Sequence, residues 1–205
     1  MNRRIALTLL FIIQGLSWSG MFMLWIYAVP VVTRFVLHAD AGDGAQYRQG
    51  LVLVSACFAW YAVLAASLAF ALPRLTARFG AGSVHGVALL IGGTGLAGLA
   101  KIDSAPLLFI AFTAIGIAWC SISNLPYAML GALALPGKGA ALIRVFGFSN
   151  VLPQVAVTLG LAIAGEAIFG TATNQVMLVG GGLMGVAGLI MLAVRERFNA
   201  PLVEW

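Results

Sequence analysis

The chain has 205 residues, of which 62% are apolar and 8% charged, and its mean hydropathy is +1.05. Soluble domains average about 45–50% apolar and about 25% charged residues, so a water-soluble domain, a disordered or collagen-like chain and a disulfide scaffold are all excluded, leaving a polytopic membrane protein. The net charge of +5 does not point to nucleic acid, because basic excess in a membrane protein records the loops that stay in the cytoplasm.

A helical span needs about 20 apolar residues, and uncharged stretches at about 5–32, 51–72, 84–100, 107–130, 145–165 and 175–194 supply six. The expected fold is all-α: one six-helix membrane bundle over residues 1–205, built as two three-helix repeats. Arg3 and Arg4 ahead of an apolar run resemble the start of a signal peptide, but the run continues to Leu37 and is too long for one, so it reads as a retained span.

In span one, Gln14, Trp18, Met21 and Trp25 follow i, i+4, i+7, i+11 along one helix face, with Tyr27 and Pro30 just beyond. Span two carries Trp60 and Tyr61 near its middle, and Cys57 there, like Cys120 in span four, reads as a packing residue rather than half of a disulfide. Span three has His85 at its cytoplasmic edge and Thr94, otherwise glycine and aliphatic residues. Span four repeats Trp119, Ser123 and Tyr127 every four residues, with Asn124 beside them and Pro126 within; span five repeats Phe146, Asn150, Gln154 and Thr158, and contains Pro153. Span six is greasy apart from Gln175 at its start, and Gly181, Gly185 and Gly188 form a small-residue face that permits close helix approach.

This unevenness predicts that spans three and six face lipid on one side, while spans one, two, four and five wall a water-filled cavity. Uncharged hydrogen-bonding groups beside flat rings suit a sugar, whose hydroxyls need donors and acceptors and whose apolar ring face packs on an aromatic. The same residues also suit interhelical hydrogen bonds and interfacial aromatic belts. Pro30 and Pro126 hold matching places in the two three-helix units, and interrupted helices in matching positions point to a transporter binding site; a kinked packing helix is the alternative.

With the N-terminus inside, Arg3, Arg4, Arg74, Arg78, Lys138, Arg144, Arg195 and Arg197 fall on the cytoplasmic side, against Arg34, Arg48 and Lys101 outside. The expected topology is therefore multi-pass in the cell inner (plasma) membrane with both termini cytoplasmic. No enzyme is expected: Gly147-Phe148-Ser149-Asn150 superficially suits a nucleophile turn, but the histidines, His38 and His85, precede it in or beside loops, and no HExxH or paired carboxylates occur. No cofactor or metal is expected, and His38 reads as a solvated loop residue near Arg34 and Asp40.

Residues 14–27 (QGLSWSGMFMLWIY) followed by Pro30 resemble the seventh helix of bacterial sucrose and maltose cation symporters, in the glycoside-pentoside-hexuronide branch of the major facilitator superfamily. Residues 70–80 (FALPRLTARFG) resemble the loop after their eighth helix, and 116–130 (GIAWCSISNLPYAML) their tenth; 151–154 (VLPQ) falls where their eleventh has a similar Pro-Gln pair. The resemblance runs in order along nearly the whole chain. It implies the C-terminal six helices of a twelve-helix fold, with cation-coupled alternating access to a sugar held between two six-helix halves. The partners it implies are the lipid bilayer, a sugar or similar small polar solute, and a second six-helix half, either another copy or a separately encoded one. Gln14, Trp18, Trp25, Tyr27, Trp60, Trp119, Asn124, Tyr127, Asn150 and Gln154 are the candidate substrate-binding residues: the rings to stack on sugar, Asn124, Asn150 and Gln154 to satisfy hydroxyls. Pro30, Pro126 and Pro153 would shape the walls. The alternative function is a non-transporting remnant or accessory membrane protein that keeps the half-fold.

Overall fold

The computed structural model describes residues 3–199 other than 41, 43, 136 and 138. Its helices are α1 (Arg3–Pro30), continued by a π-helical turn (Val31–Val36), α2 (Ala45–Ala69), α3 (Leu72–Phe79), α4 (Ala81–Gly98), α5 (Ala105–Ala132), α6 (Gly139–Phe146), α7 (Phe148–Phe169) and α8 (Val176–Val194). Among the described residues six segments are long and apolar enough to cross a membrane: Arg3–Val36, Ala45–Ala69, Ala81–Gly98, Ala105–Ala132, Gly139–Phe169 and Thr173–Arg197. The helical state follows from the solvent, since lipid offers no partner for backbone N–H and C=O groups.

The helices outrun the uncharged stretches that announce them. α1 takes in Arg3 and Arg4, and α2 takes in Arg48; long basic side chains at a span end reach back to the interface, so a charge does not end the helix. Residues 73–83, expected as a connector, instead hold most of α3 and the start of α4, separated by Gly80 at φ +81°. The chain runs on helically through Pro126 and Pro153, whereas after Pro30 it changes to the π-helical turn. The fifth span is divided at Gly147 into α6 and α7.

Packing follows a two-fold pattern. α4 lies along both α8 and α5, α1 lies along α8 and α7, and α2 lies along α5. Exchanging the triplet α1, α2, α4 for α5, α7, α8 turns α1 on α8 into α5 on α4, turns α1 on α7 into α5 on α2, and returns α4 on α8 to itself. Two interlocked three-helix units have this property.

Spans three and six, α4 and α8, were expected as outer columns, and here the structure differs. They form the central seam, while α2 and α7 bury least. Glycine is the cause. A Cβ placed on Gly181 would lie 2.5 Å from the Gly93 carbonyl oxygen and one on Gly188 would lie 2.9 Å from that of Gly86, so the helices meet backbone to backbone. Gly185 belongs to the same seam, since a Cβ on Gly93 would lie 3.0 Å from its backbone nitrogen, although a Cβ on Gly185 itself would meet nothing within 4 Å. Each helix keeps one outward apolar side, with Val87 and Ile91 on α4 and Leu178, Val186 and Leu189 on α8.

Hydrogen bonds between distant segments identify the two ends of the bundle. The Arg3 Nε donates to the Leu133 carbonyl at 2.6 Å, joining the start of α1 to the end of α5, and Asn199 Nδ2 donates to Ser83 Oγ at 3.1 Å, joining the tail to α4. At the other end Asn174 Nδ2 donates to the Ala100 carbonyl at 2.7 Å.

Candidate functional site: a polar and aromatic row on α1, α5 and α7

Gln14 is buried where α1 meets α7, and its side-chain nitrogen donates to Asn150 Oδ1 at 3.3 Å. The Asn150 Nδ2 in turn donates to the Tyr127 hydroxyl at 3.0 Å, so one chain of hydrogen bonds links three helices. Ser149 Oγ donates to the Phe146 carbonyl at 2.6 Å and lies 3.4 Å from Asn150 Oδ1. Gln14 Oε1 has no partner among the described residues. α7 passes Gly15 at ordinary contact distance, where a Cβ would lie 3.7 Å from the Pro153 ring.

One turn along α1 the aromatic groups begin. Trp18, Trp25 and Trp119 meet mutually edge-on, with centroids 5.9 Å apart for Trp18 and Trp25, 5.6 Å for Trp18 and Trp119, and 5.5 Å for Trp25 and Trp119. Phe22 packs on both α1 indoles, and Tyr61 joins from α2 at 6.4 Å from Trp119. Edge-to-face geometry of this kind adds about 0.5–1.5 kcal/mol per pair beyond area burial. The Trp18 indole N–H is buried and has no partner among the described residues.

The remaining candidates lie outside the hydrogen-bond chain and the indole cluster. Trp60 is exposed, donates its indole N–H to Thr113 Oγ1 at 2.8 Å and packs on Phe109, apart from the indole cluster that Tyr61 joins instead. Tyr27 is half-buried against a smaller core with Phe22, Met23, Val157 and Val176, its hydroxyl close to Gly165. Asn124 is exposed and turns its amide back to the Cys120 carbonyl at 2.7 Å. Gln154 is exposed, as are Ser123 and Thr158. Of the helix-shaping prolines, Pro126 and Pro153 are buried and Pro30 is half-buried.

Rather than lining one enclosed space, these residues form a row that runs from interior to surface. Two cavities, about 440 Å³ and 380 Å³, lie at opposite ends of the bundle, and none of the candidate residues lines either. Two physical reasons account for the difference from the expected cavity. The indoles of α1 and α5 fill the space between those helices with one another. In addition, an i, i+4 series drifts about 40° around the axis per step, so Phe146 is buried, Asn150 half-buried, and Gln154 and Thr158 are outside.

One polar pair escaped the sequence reading. His85, expected at a span edge, is fully buried a turn inside α4, with Nδ1 2.6 Å from Ser121 Oγ and Nε2 without a partner among the described residues. The available signal is the spacing of Ala111, Ala114, Ala118 and Ser121, a small-residue stripe of α5; Gly95 and Gly92 of α4 lie against its alanines.

No protein-family model matches the chain, and no curated protein matches it. The fold and its long apolar helices define an all-α polytopic membrane protein, a bundle with six candidate spans.

Proposed function

We propose that the chain is one half of a transporter for a small polar solute of the sugar class, completed by a second six-helix bundle set against the row on α1, α5 and α7. The observation that supports this reading is the hydrogen-bond chain Gln14, Asn150, Tyr127 beside the Trp18, Trp25, Trp119 cluster, with Gln14 Oε1 and the Trp18 N–H unspent. Asn124, Ser123 and Gln154 extend the polar groups to the surface of a molecule whose exposed side chains are otherwise largely apolar. Polar groups at that depth are tolerated against protein or water rather than hydrocarbon. Binding would be non-covalent, with amides and the tyrosine hydroxyl meeting sugar hydroxyls and the half-buried indoles meeting ring faces. Cation coupling, the symporter class and the inner-membrane location with both termini cytoplasmic belong to the same proposal.

The test is tryptophan emission of the purified protein in lipid on titration with mono- and disaccharides, with crosslinking to read its oligomeric state. Saturable quenching that is lost in Asn124→Leu while expression survives supports the reading. Monomer only, with no emission change for any sugar, refutes it. A second reading is favoured by one observation, the absence of the candidate residues from either cavity: an accessory membrane protein that keeps the half-fold without a transport cycle, which inserts stably and shows no ligand response.

A further inference from the structure

The cavity of about 440 Å³ at the arginine-rich end is lined by Arg3, Ala6, Ala132, Leu133, Leu135 and Arg197, with Ala134 completing its wall. It lies between the start of α1, the end of α5 and the 3₁₀ turn Arg195–Arg197 that follows α8. Its size falls within the range of about 300–1,000 Å³ usual for small-ligand sites. Two arginines from different elements line it, and no acidic residue among the described residues does. The nearest carboxylate in sequence, Glu196, is engaged by Arg195 at 3.3 Å. Arg3 is held in place through its Nε, which donates to the Leu133 carbonyl at 2.6 Å, and among the described residues its two terminal nitrogens have no hydrogen-bond partner. A fork fixed in advance loses less freedom on binding.

We propose that this cavity binds a phosphate group, presented either by an anionic phospholipid headgroup or as a free phosphate. Guanidinium forks match phosphate oxygens bidentately. Basic pockets between membrane helices hold anionic headgroups, and the alanine and leucine walls give the glycerol end of a lipid an apolar bed.

The experiment uses the full chain, purified and placed in zwitterionic phosphatidylcholine with or without phosphatidylglycerol. Retained lipid is read by native mass spectrometry and stability by the thermal midpoint. Retention of phosphatidylglycerol is expected to fall about fivefold in Arg197→Gln and about 30-fold in Arg3→Gln/Arg197→Gln. Arg74→Gln/Arg78→Gln on α3, basic residues of the same end outside the cavity, should leave it unchanged. Arg197 is exposed, so Arg197→Gln keeps the test decisive even if loss of the Arg3 to Leu133 bond impairs folding. Inorganic phosphate added without phosphatidylglycerol separates the two sources. A midpoint rise in the wild type that Arg197→Gln abolishes assigns the free anion, and no rise together with retained phosphatidylglycerol assigns the headgroup. The proposal is overturned if Arg197→Gln changes neither the retention of phosphatidylglycerol nor a midpoint rise with inorganic phosphate, if the α3 variant loses as much, or if neither probe has any effect.

Discussion

The seam between α4 and α8 makes a sharp prediction, because neighbouring glycines on one helix should respond oppositely to the same added methyl group. In Gly181→Ala the new Cβ would stand 2.5 Å from the Gly93 carbonyl oxygen and 2.6 Å from the Ala97 nitrogen, both of them backbone atoms that no rotamer change can move. Ordinary contact begins at 3.4 Å, so α8 must retreat by about 0.9 Å, an overpacking that costs about 1–3 kcal/mol. The retreat also disturbs the approach of α8 to α1, where a Cβ on Gly20 would lie 2.7 Å from the Gly180 carbonyl oxygen. Against this, replacing glycine by alanine in a helix returns up to about 1 kcal/mol. Gly182→Ala receives the return without the cost, since nothing lies within 4 Å of its Cβ direction. The two variants should therefore differ by about 2 kcal/mol, or about 4–8 °C in midpoint, in thermal denaturation in detergent read by monodispersity. Equal midpoints, or Gly182→Ala being the weaker of the two, would refute backbone-to-backbone packing at this seam.

Three further outcomes are expected. Ser121→Ala leaves both ring nitrogens of the buried His85 unpartnered and should lower stability by about 1–3 kcal/mol, with His85→Leu/Ser121→Ala recovering most of the loss because removing both partners is nearly neutral; a double variant as weak as the single one contradicts this. Asn150→Leu breaks the links to both Gln14 and Tyr127 and should cost about 0.6–2 kcal/mol, whereas Leu152→Asn, at an exposed site of the same helix, tests whether any polarity change there does the same. For orientation, in a background with Cys57 and Cys120 replaced by serine, an impermeant thiol reagent should label Lys101→Cys from outside intact cells and Arg78→Cys only after permeabilisation; labelling of both from one side would remove the proposed topology.

The number of candidate spans was legible because hydrocarbon forces each uncharged stretch to satisfy its own backbone, and that requirement leaves one element type for a run such as 107–130. The angular placement of each helix was not, because polarity does not say which neighbour a helix meets. α4 and α8 looked peripheral on account of their few polar groups, yet glycine at 93, 181 and 188 made them the pair that approaches most closely. Glycine permits approach without dictating which neighbour it approaches. On α2 an error of one residue is an error of about 100° around the axis. Val54, Cys57, Tyr61 and Ala65, all buried and three or four apart, mark the inner face, and that spacing selects Tyr61 over Trp60. His85 was placed at an edge because the apolar window opens after Ser83, whereas α4 starts at Ala81, directly after the positive φ of Gly80.

Gln14, Asn150 and Tyr127 satisfy one another in part, as interhelical bonding alone would require. Asn124 satisfies one donor on its own helix and remains exposed, while Gln154 is exposed one step beyond Asn150. A side-chain amide carries two donors and an acceptor with two lone pairs, so a helix-internal bond leaves most of Asn124 unsatisfied in hydrocarbon. Internal packing thus explains the buried half of the row but not its exposed half, which the proposed second bundle would cover. The discriminating variant is Gln154→Leu, at a position exposed on α7. If the exposed half faces lipid, the substitution stabilises the protein in bilayers; if it faces a second bundle, stability of the isolated chain in detergent is unchanged and crosslinking between bundles falls.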